Sequence, residues 1–238
     1  MIRLLLLDVD GTLTVNRDTL ALDPIALEAI QRARGRISMG LVTGNALIVA
    51  EALARYIGLG PDAPLVAENG CIVEFNGVVH RLSNIDVKGV VLKLVNELKL
   101  KTTYQFPCRM LDFTLEITGD EADLMGKVKE YLASMGLAGS VDVESSGYAI
   151  HIHPKGCGKP NGVVELCRLM SIDCSEVAYI GDSDTDADVL GMVGLGIAVG
   201  NATSKAKSSA KVVVKEPSGR GAAEAIDMIL KMANTTPR

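Results

Sequence analysis

A short apolar run at residues 3–7 ends abruptly on Asp8-Val9-Asp10-Gly11. Four successive leucines, Leu4 to Leu7, carry no polar alternation, which is the pattern of a strand buried on both faces in a parallel sheet. Asp23-Pro24 then supplies an N-cap and a first-turn proline, and Ile25, Leu27, Ala29, Ile30 and Ala33 recur at helical spacing. A second strand is expected over 39–42, a helix over 46–57 closed by Gly58, and a third strand over 65–67. Strand, helix, strand, helix, strand implies parallel strands joined by right-handed crossovers.

The middle of the chain reads differently. Asn69-Gly70 and Asn76-Gly77 are hairpin-turn dipeptides around expected strands at 72–75 and 78–82. A helix over 87–98, strands over 102–106 and 109–117, a helix over 121–135 and strands over 141–144 and 148–153 follow. From Pro160 the first pattern returns, with helices and strands alternating to a final helix at 222–232. The expected fold is α/β: a doubly wound, parallel-sheet (Rossmann-like) core formed by 1–83 and 156–238, with an inserted α+β cap at 84–155.

Composition narrows the function. Lys and Arg number 24 against 29 Asp and Glu, a net charge of -5, so the chain lacks the basic footprint that nucleic acid or an anionic membrane requires. The apolar N-terminal run ends at Asp8, far short of the roughly 20 residues of a bilayer span and without a cleavage-site pattern. A cytoplasmic location is therefore expected. The five cysteines, Cys71, Cys108, Cys157, Cys167 and Cys174, contain no C-x-x-C pair, and reduced thiols serving as small core residues are expected.

In an open parallel sheet, ligands sit beyond the carboxyl ends of the strands, and four such places here carry chemical groups. Asp8 and Asp10 follow the first strand; alternation would separate them unless a turn at Gly11 brings both into one pocket. Thr43-Gly44 lies at a strand–helix junction where free backbone N–H groups can receive an anion. Asp182, Asp184 and Asp186 open a helix and would repel one another without a cation. Lys159 precedes Pro160 at the start of a further helix. Taken singly, each is an ordinary cap, turn or solvated side chain, and capping is the expected role of Asp184. Taken together, at strand ends and in this order, they supply a nucleophile, an acid/base, a hard-cation site and a phosphate clamp.

In these motifs, D-x-D-G-T-L at Asp8 to Leu13, Thr43, Lys159 and G-D-S-x-x-D at Gly181 to Asp186, the chain resembles the haloacid dehalogenase superfamily of phosphohydrolases. Leu41 to Asn45 and Ala67 to Gly70 are similar to segments of archaeal phosphoglycolate phosphatases. One departure is Pro160, where many relatives place glycine directly after the lysine. The resemblance implies that Asp8 attacks phosphorus and that Asp10 protonates the leaving group and then activates water. It implies Mg²⁺ held by Asp8, the Asp10 carbonyl, Asp182 and Asp186, directly or through water, and a phosphoryl group held by Thr43, Gly44 and Lys159.

A receiver-type signalling domain uses similar groups but needs about half this length and leaves the insertion unexplained. A dinucleotide loop at Gly194 to Gly200 is excluded, because its glycines flank a strand instead of leading from one into a helix. A sugar-phosphate phosphatase and a phosphomutase of the same superfamily stay open as alternatives. The expected partner is a small phosphorylated metabolite, with no nucleic acid and no membrane, and a homodimer is left open. For 2-phosphoglycolate, the carboxylate needs a cationic partner, for which Arg109 and Lys155 are the candidates; His151 and His153 alternate on a strand and are expected to be structural.

Overall fold

The computed structural model describes residues 2–235. The first part of the chain forms β1 (Leu4–Leu7), α1 (Pro24–Ala33), β2 (Ser38–Val42), α2 (Leu47–Tyr56), β3 (Leu65–Ala67), β4 (Ile72–Phe75) and β5 (Val78–Arg81). The middle contributes α3 (Lys88–Leu98), β6 (Phe113–Glu116), α4 (Glu121–Ser134), β7 (Val141–Ser145) and β8 (Ala149–Pro154). The last part adds α5 (Lys159–Met170), β9 (Val177–Gly181), α6 (Ala187–Met192), β10 (Leu195–Ala198), α7 (Ser204–Ser209), β11 (Val212–Val213) and α8 (Ser218–Thr235).

The larger sheet runs β11-β10-β9-β1-β2-β3-β4-β5. Its strands from β11 to β3 are parallel; β4 alone runs the other way, pairing antiparallel with both β3 and β5. The leucines of β1 are fully buried at its centre, as an unbroken apolar run demands. From β1 the chain winds one way through β2 and β3, then returns to the other side of β1 as β9, β10 and β11. That reversal places the crevice for a ligand beside the end of β1. Asn76-Gly77 makes the expected two-residue hairpin, both residues at positive φ (53° and 72°). The smaller sheet, β6-β8-β7, is antiparallel and packs with α3 and α4 around a core of its own, including Val91, Leu94, Phe113, Leu115, Val128 and Ile152.

Two expectations are corrected. The strands expected over 102–106 and 109–117 shrink to β6 and an isolated bridge between Thr102 and Leu115. Pro107 lies in a 3₁₀ turn at Phe106–Cys108, and the backbone N–H groups of Met110, Leu111 and Asp112 all donate to the Glu68 carboxylate at 2.8–3.1 Å. Those donors are withdrawn from any ladder. Second, Cys71 and Cys157, expected as thiols, form a disulfide across a sequence separation of 86. Cys71 follows the turn after β3, and Cys157 lies where the chain comes back from β8, a meeting that no local spacing rule can register.

His153 gives a pH-dependent test of the smaller unit. Its burial works against the charged ring, but Glu144, Asp112 and the Pro154 carbonyl outweigh this and raise it from 6.5 to about 9. Its Nε2 lies 3.7 Å from Glu144, an ion pair too long to be a hydrogen bond. A raised histidine stabilises the fold fully below its unfolded value, and that stability is lost as pH rises from 6.5 through about 9. Urea unfolding should show a loss on the order of 3 kcal/mol across this window, largely absent in His153→Gln. Equal slopes in the two proteins would refute the assignment.

Candidate active site

The adjacent strands β9, β1 and β2 deliver Asp182, Asp8 and Thr43 at their carboxyl ends. Gly11, at φ +89°, makes the turn after Asp10, and a Cβ there would run into the Asp182 carboxylate. With that turn, Asp8 and Asp10 both line a cavity of about 750 Å³ between the two units, together with Gly44, Asn45, Arg109, His151 and Lys159. Thr43, Asp182 and Asp186 are buried behind its wall.

Lys159 is the first residue of α5, with Gly158 before it at φ +123° and Pro160 in the first turn, where a missing N–H costs nothing. The proline does not displace the side chain. Its Nζ donates to Asp8 Oδ1 and to Asp186 Oδ1, each at 2.7 Å. Burial opposes the ammonium charge, but Asp186 and Asp8 override it and raise its pKa, so Lys159 stays charged. Burial, reinforced by Asp186 and Asp182, pushes the Asp8 carboxyl well above its usual range despite Lys159.

Asp186 is differently placed. Its Oδ1 accepts from Lys159 and the Tyr179 hydroxyl, and its Oδ2 accepts from Asp182 N (3.1 Å), Ser183 N (2.8 Å) and Ser183 Oγ (2.7 Å). Both oxygens are committed within the protein. Ser183 and Asp186 form the capping box of the short turn here, whereas Asp184 accepts from the Thr203 hydroxyl at 2.6 Å. Capping, expected of Asp184, is therefore done by its neighbours.

Carboxylate oxygens of Asp8, Asp182 and Asp186 lie within 4.8 Å of one another, all buried. A hard divalent cation fits this set, since oxygen donors are what Mg²⁺ takes and crowded acids gain most from it.

Asp10 is oriented by a relay that the sequence did not reveal. Asn45 Nδ2 donates to Asp10 Oδ2 and to Thr43 Oγ1, both at 2.8 Å, and Gln105 Nε2 donates to Asn45 Oδ1 at 2.6 Å. Gln105 Oε1 also accepts from Ala46 N, at the start of α2. Burial raises the Asp10 pKa, which the Asn45 bond only partly offsets, and this suits a proton donor.

The roof comes from the smaller unit. Arg109 Nη1 donates to Asp112 at 3.1 Å and Nη2 to the Gly44 carbonyl at 2.9 Å, while its buried Nε has no hydrogen-bond partner among the described residues. His151 Nδ1 lies 2.7 Å from Asp112 Oδ2. Burial would raise the Asp112 carboxyl, but His151 and Arg109 outweigh it and hold it at about 2. Lys155 is exposed and does not line the cavity, so of the two expected carboxylate partners only Arg109 is in place.

Among the residues missed, Asn45 and Glu68-Asn69-Gly70 carried some signal, because they adjoin strand ends. Gln105 carried none; its role depends on the smaller unit folding back over α2.

The haloacid dehalogenase-like hydrolase family matches residues 5–108 and 110–226. A phosphoglycolate phosphatase of Pyrobaculum aerophilum is 40% identical over 236 residues, 99% of each chain, and one of Sulfolobus acidocaldarius is 34% identical over 231 residues, 97% of each. The crystal structure of Thermoplasma acidophilum protein 0175 is similar with a TM-score of 0.80 and 26% identity, over 99% of this chain and 100% of that one. With motif order, strand-end geometry and full-length similarity in agreement, the chain belongs to the haloacid dehalogenase-like hydrolases.

Proposed function

We propose that this hydrolase is a Mg²⁺-dependent phosphomonoesterase that works through an aspartyl-phosphate on Asp8 and prefers 2-phosphoglycolate. The observation that carries the chemistry is Asp8 at the cavity floor, one oxygen held 2.7 Å from Lys159, with Asp10 beside it under a raised pKa. In this reading Asp8 attacks phosphorus and the P–O bond to the leaving alkoxide breaks as Asp10 gives that oxygen its proton. Asp10 then takes a proton from water, which attacks the same phosphorus and frees Asp8 and phosphate. Lys159, Thr43 and Gly44 hold the phosphoryl oxygens. Asp8, the Asp10 carbonyl and Asp182 would hold Mg²⁺, with Asp186 acting through Lys159 and through water. Bound there, the ion neutralises charge on the transferring group.

The substrate reading rests first on the relatives and then on charge. Relatives named phosphoglycolate phosphatase match along nearly the whole chain. Arg109 offers its unpartnered Nε to a carboxylate at the roof. The cavity volume, about 750 Å³, would also admit a hexose phosphate, so a sugar-phosphate phosphatase is the second reading. The buried site, roofed by a second unit, disfavours a phospho-aspartate signalling domain, which must be reached by a protein partner.

The test is phosphate release from 2-phosphoglycolate, hexose phosphates and nucleoside monophosphates, with and without Mg²⁺. The highest kcat/KM should fall on 2-phosphoglycolate, and only with the metal. Arg109→Ala should raise KM for 2-phosphoglycolate by about 10–100-fold, the worth of one charged hydrogen bond, and change KM for phenyl phosphate far less. Preference for hexose phosphates, or equal losses on both substrates, would remove the substrate assignment.

A further inference from the structure

Arg17 belongs to none of the four motifs, yet it touches both the acidic cluster and the smaller unit. Its Nε donates to Asp182 Oδ2 at 2.8 Å, and its Nη2 lies 2.6 Å from the same oxygen as an ion pair. Asp182 Oδ1 accepts only a long bond from the Thr12 hydroxyl, 3.3 Å. One oxygen of a fully buried carboxylate is thus clamped and the other is nearly unengaged. The backbone behind Arg17 is firm. Thr14 bridges Leu22, Val15 N–H donates to the Ala21 carbonyl at 2.7 Å, and Asn16 Oδ1 accepts from the N–H groups of Asp18 and Thr19. The Arg17 carbonyl in turn accepts from the Tyr148 hydroxyl of the smaller unit at 2.9 Å.

We infer that Arg17 is a positioning residue for the metal ligand Asp182: it fixes Oδ2 so that Oδ1 is the oxygen offered to the divalent cation. This rests on the Mg²⁺ reading above. The charges favour it: among the described residues Asp8 and Asp186 pair with Lys159, Asp182 pairs with Arg17 and Asp10 has no ion-pair partner, an excess of acids that a divalent ion would offset. Partners that orient a ligating carboxylate are worth about 10–100-fold in metal affinity. The two donors matter as well as the charge, because Nε and Nη2 converge on one oxygen, a grip that a single ammonium reproduces only in part. Its carbonyl separately ties the loop to the roof through Tyr148.

The experiment is calorimetric titration of substrate-free protein with Mg²⁺, supported by metal-induced shifts in thermal midpoint, for wild type, Arg17→Gln, Arg17→Lys and Tyr148→Phe. Arg17→Gln should weaken Mg²⁺ binding by about 10–100-fold, with Arg17→Lys between it and wild type. Tyr148→Phe, which leaves the Arg17 side chain in place, should bind Mg²⁺ as wild type does. Circular dichroism and midpoints without metal check the fold, and Arg17→Lys keeps the test valid if Arg17→Gln is unfolded. Unchanged affinity in Arg17→Gln would overturn the inference. Tighter binding would overturn it too, by showing that Arg17 occupies the place of the cation. If wild type itself binds no Mg²⁺, the metal reading falls and the inference with it, an outcome distinct from the other two.

Discussion

Asp8→Asn should abolish phosphate release, by at least about four orders of magnitude, while leaving a folded protein. An amide nearly matches the carboxylate in shape but does not attack phosphorus, so no covalent intermediate forms. The fold should survive because Lys159 keeps its second partner, Asp186, at 2.7 Å. Burial among Asp186 and Asp182 already disfavours the charge on Asp8, so the neutral side chain should leave the metal-free thermal midpoint equal or higher. Its Mg²⁺ affinity should fall, since a ligand charge is lost. Phosphate assays on freshly purified protein, with mass spectrometry to exclude deamidation, check this. Near-normal turnover would sink the covalent mechanism.

Loss of the Cys71–Cys157 disulfide should produce the largest change in stability. The bridge closes a loop spanning a sequence separation of 86, which encloses β4, β5 and the whole smaller unit. A loop of that length removes about 4–5 kcal/mol of chain entropy from the unfolded state in the simplest treatment, and measured losses run from about 2 to 5 kcal/mol. For a chain of this size that is a fall of roughly 10 °C in midpoint. Calorimetry of Cys71→Ser without reductant, and of wild type with it, should give similar drops. A midpoint insensitive to both would mean that the bridge contributes nothing.

The sequence makes some layers legible and hides others for physical reasons. β1 and Asp8 could be read because a fully buried strand and the acids that end it are local patterns. Asn76-Gly77 could be read because its turn needs two residues at positive φ. The strand expected over 109–117 failed because a single side chain, Glu68, draws off three consecutive N–H groups from 42 to 44 residues away. Arg17, Gln105 and the disulfide share that character. Each depends on where distant segments meet, which neither periodicity nor propensity records. The site's chemical groups were visible, while their orientation, by Asn45 on Asp10 and Tyr179 on Asp186, was not.

Most hydrophobic residues of the smaller unit form a cluster separate from that of the larger sheet, with Leu111 and Met110 packing instead on the larger one, and the chain crosses between the two near 82–87 and 154–157. Apart from the seam at Met110 to Asp112, each unit therefore has an interior of its own. Recognition and reaction can then drift largely apart, since replacing the segment between the crossings exchanges the pocket ceiling while the acids keep their direct neighbours Lys159, Arg17 and Asn45, provided the place of Gln105 still holds Asn45. A scaffold partitioned in this way is a natural acceptor for grafted ceilings, where one unaltered floor would serve leaving groups of different size and charge.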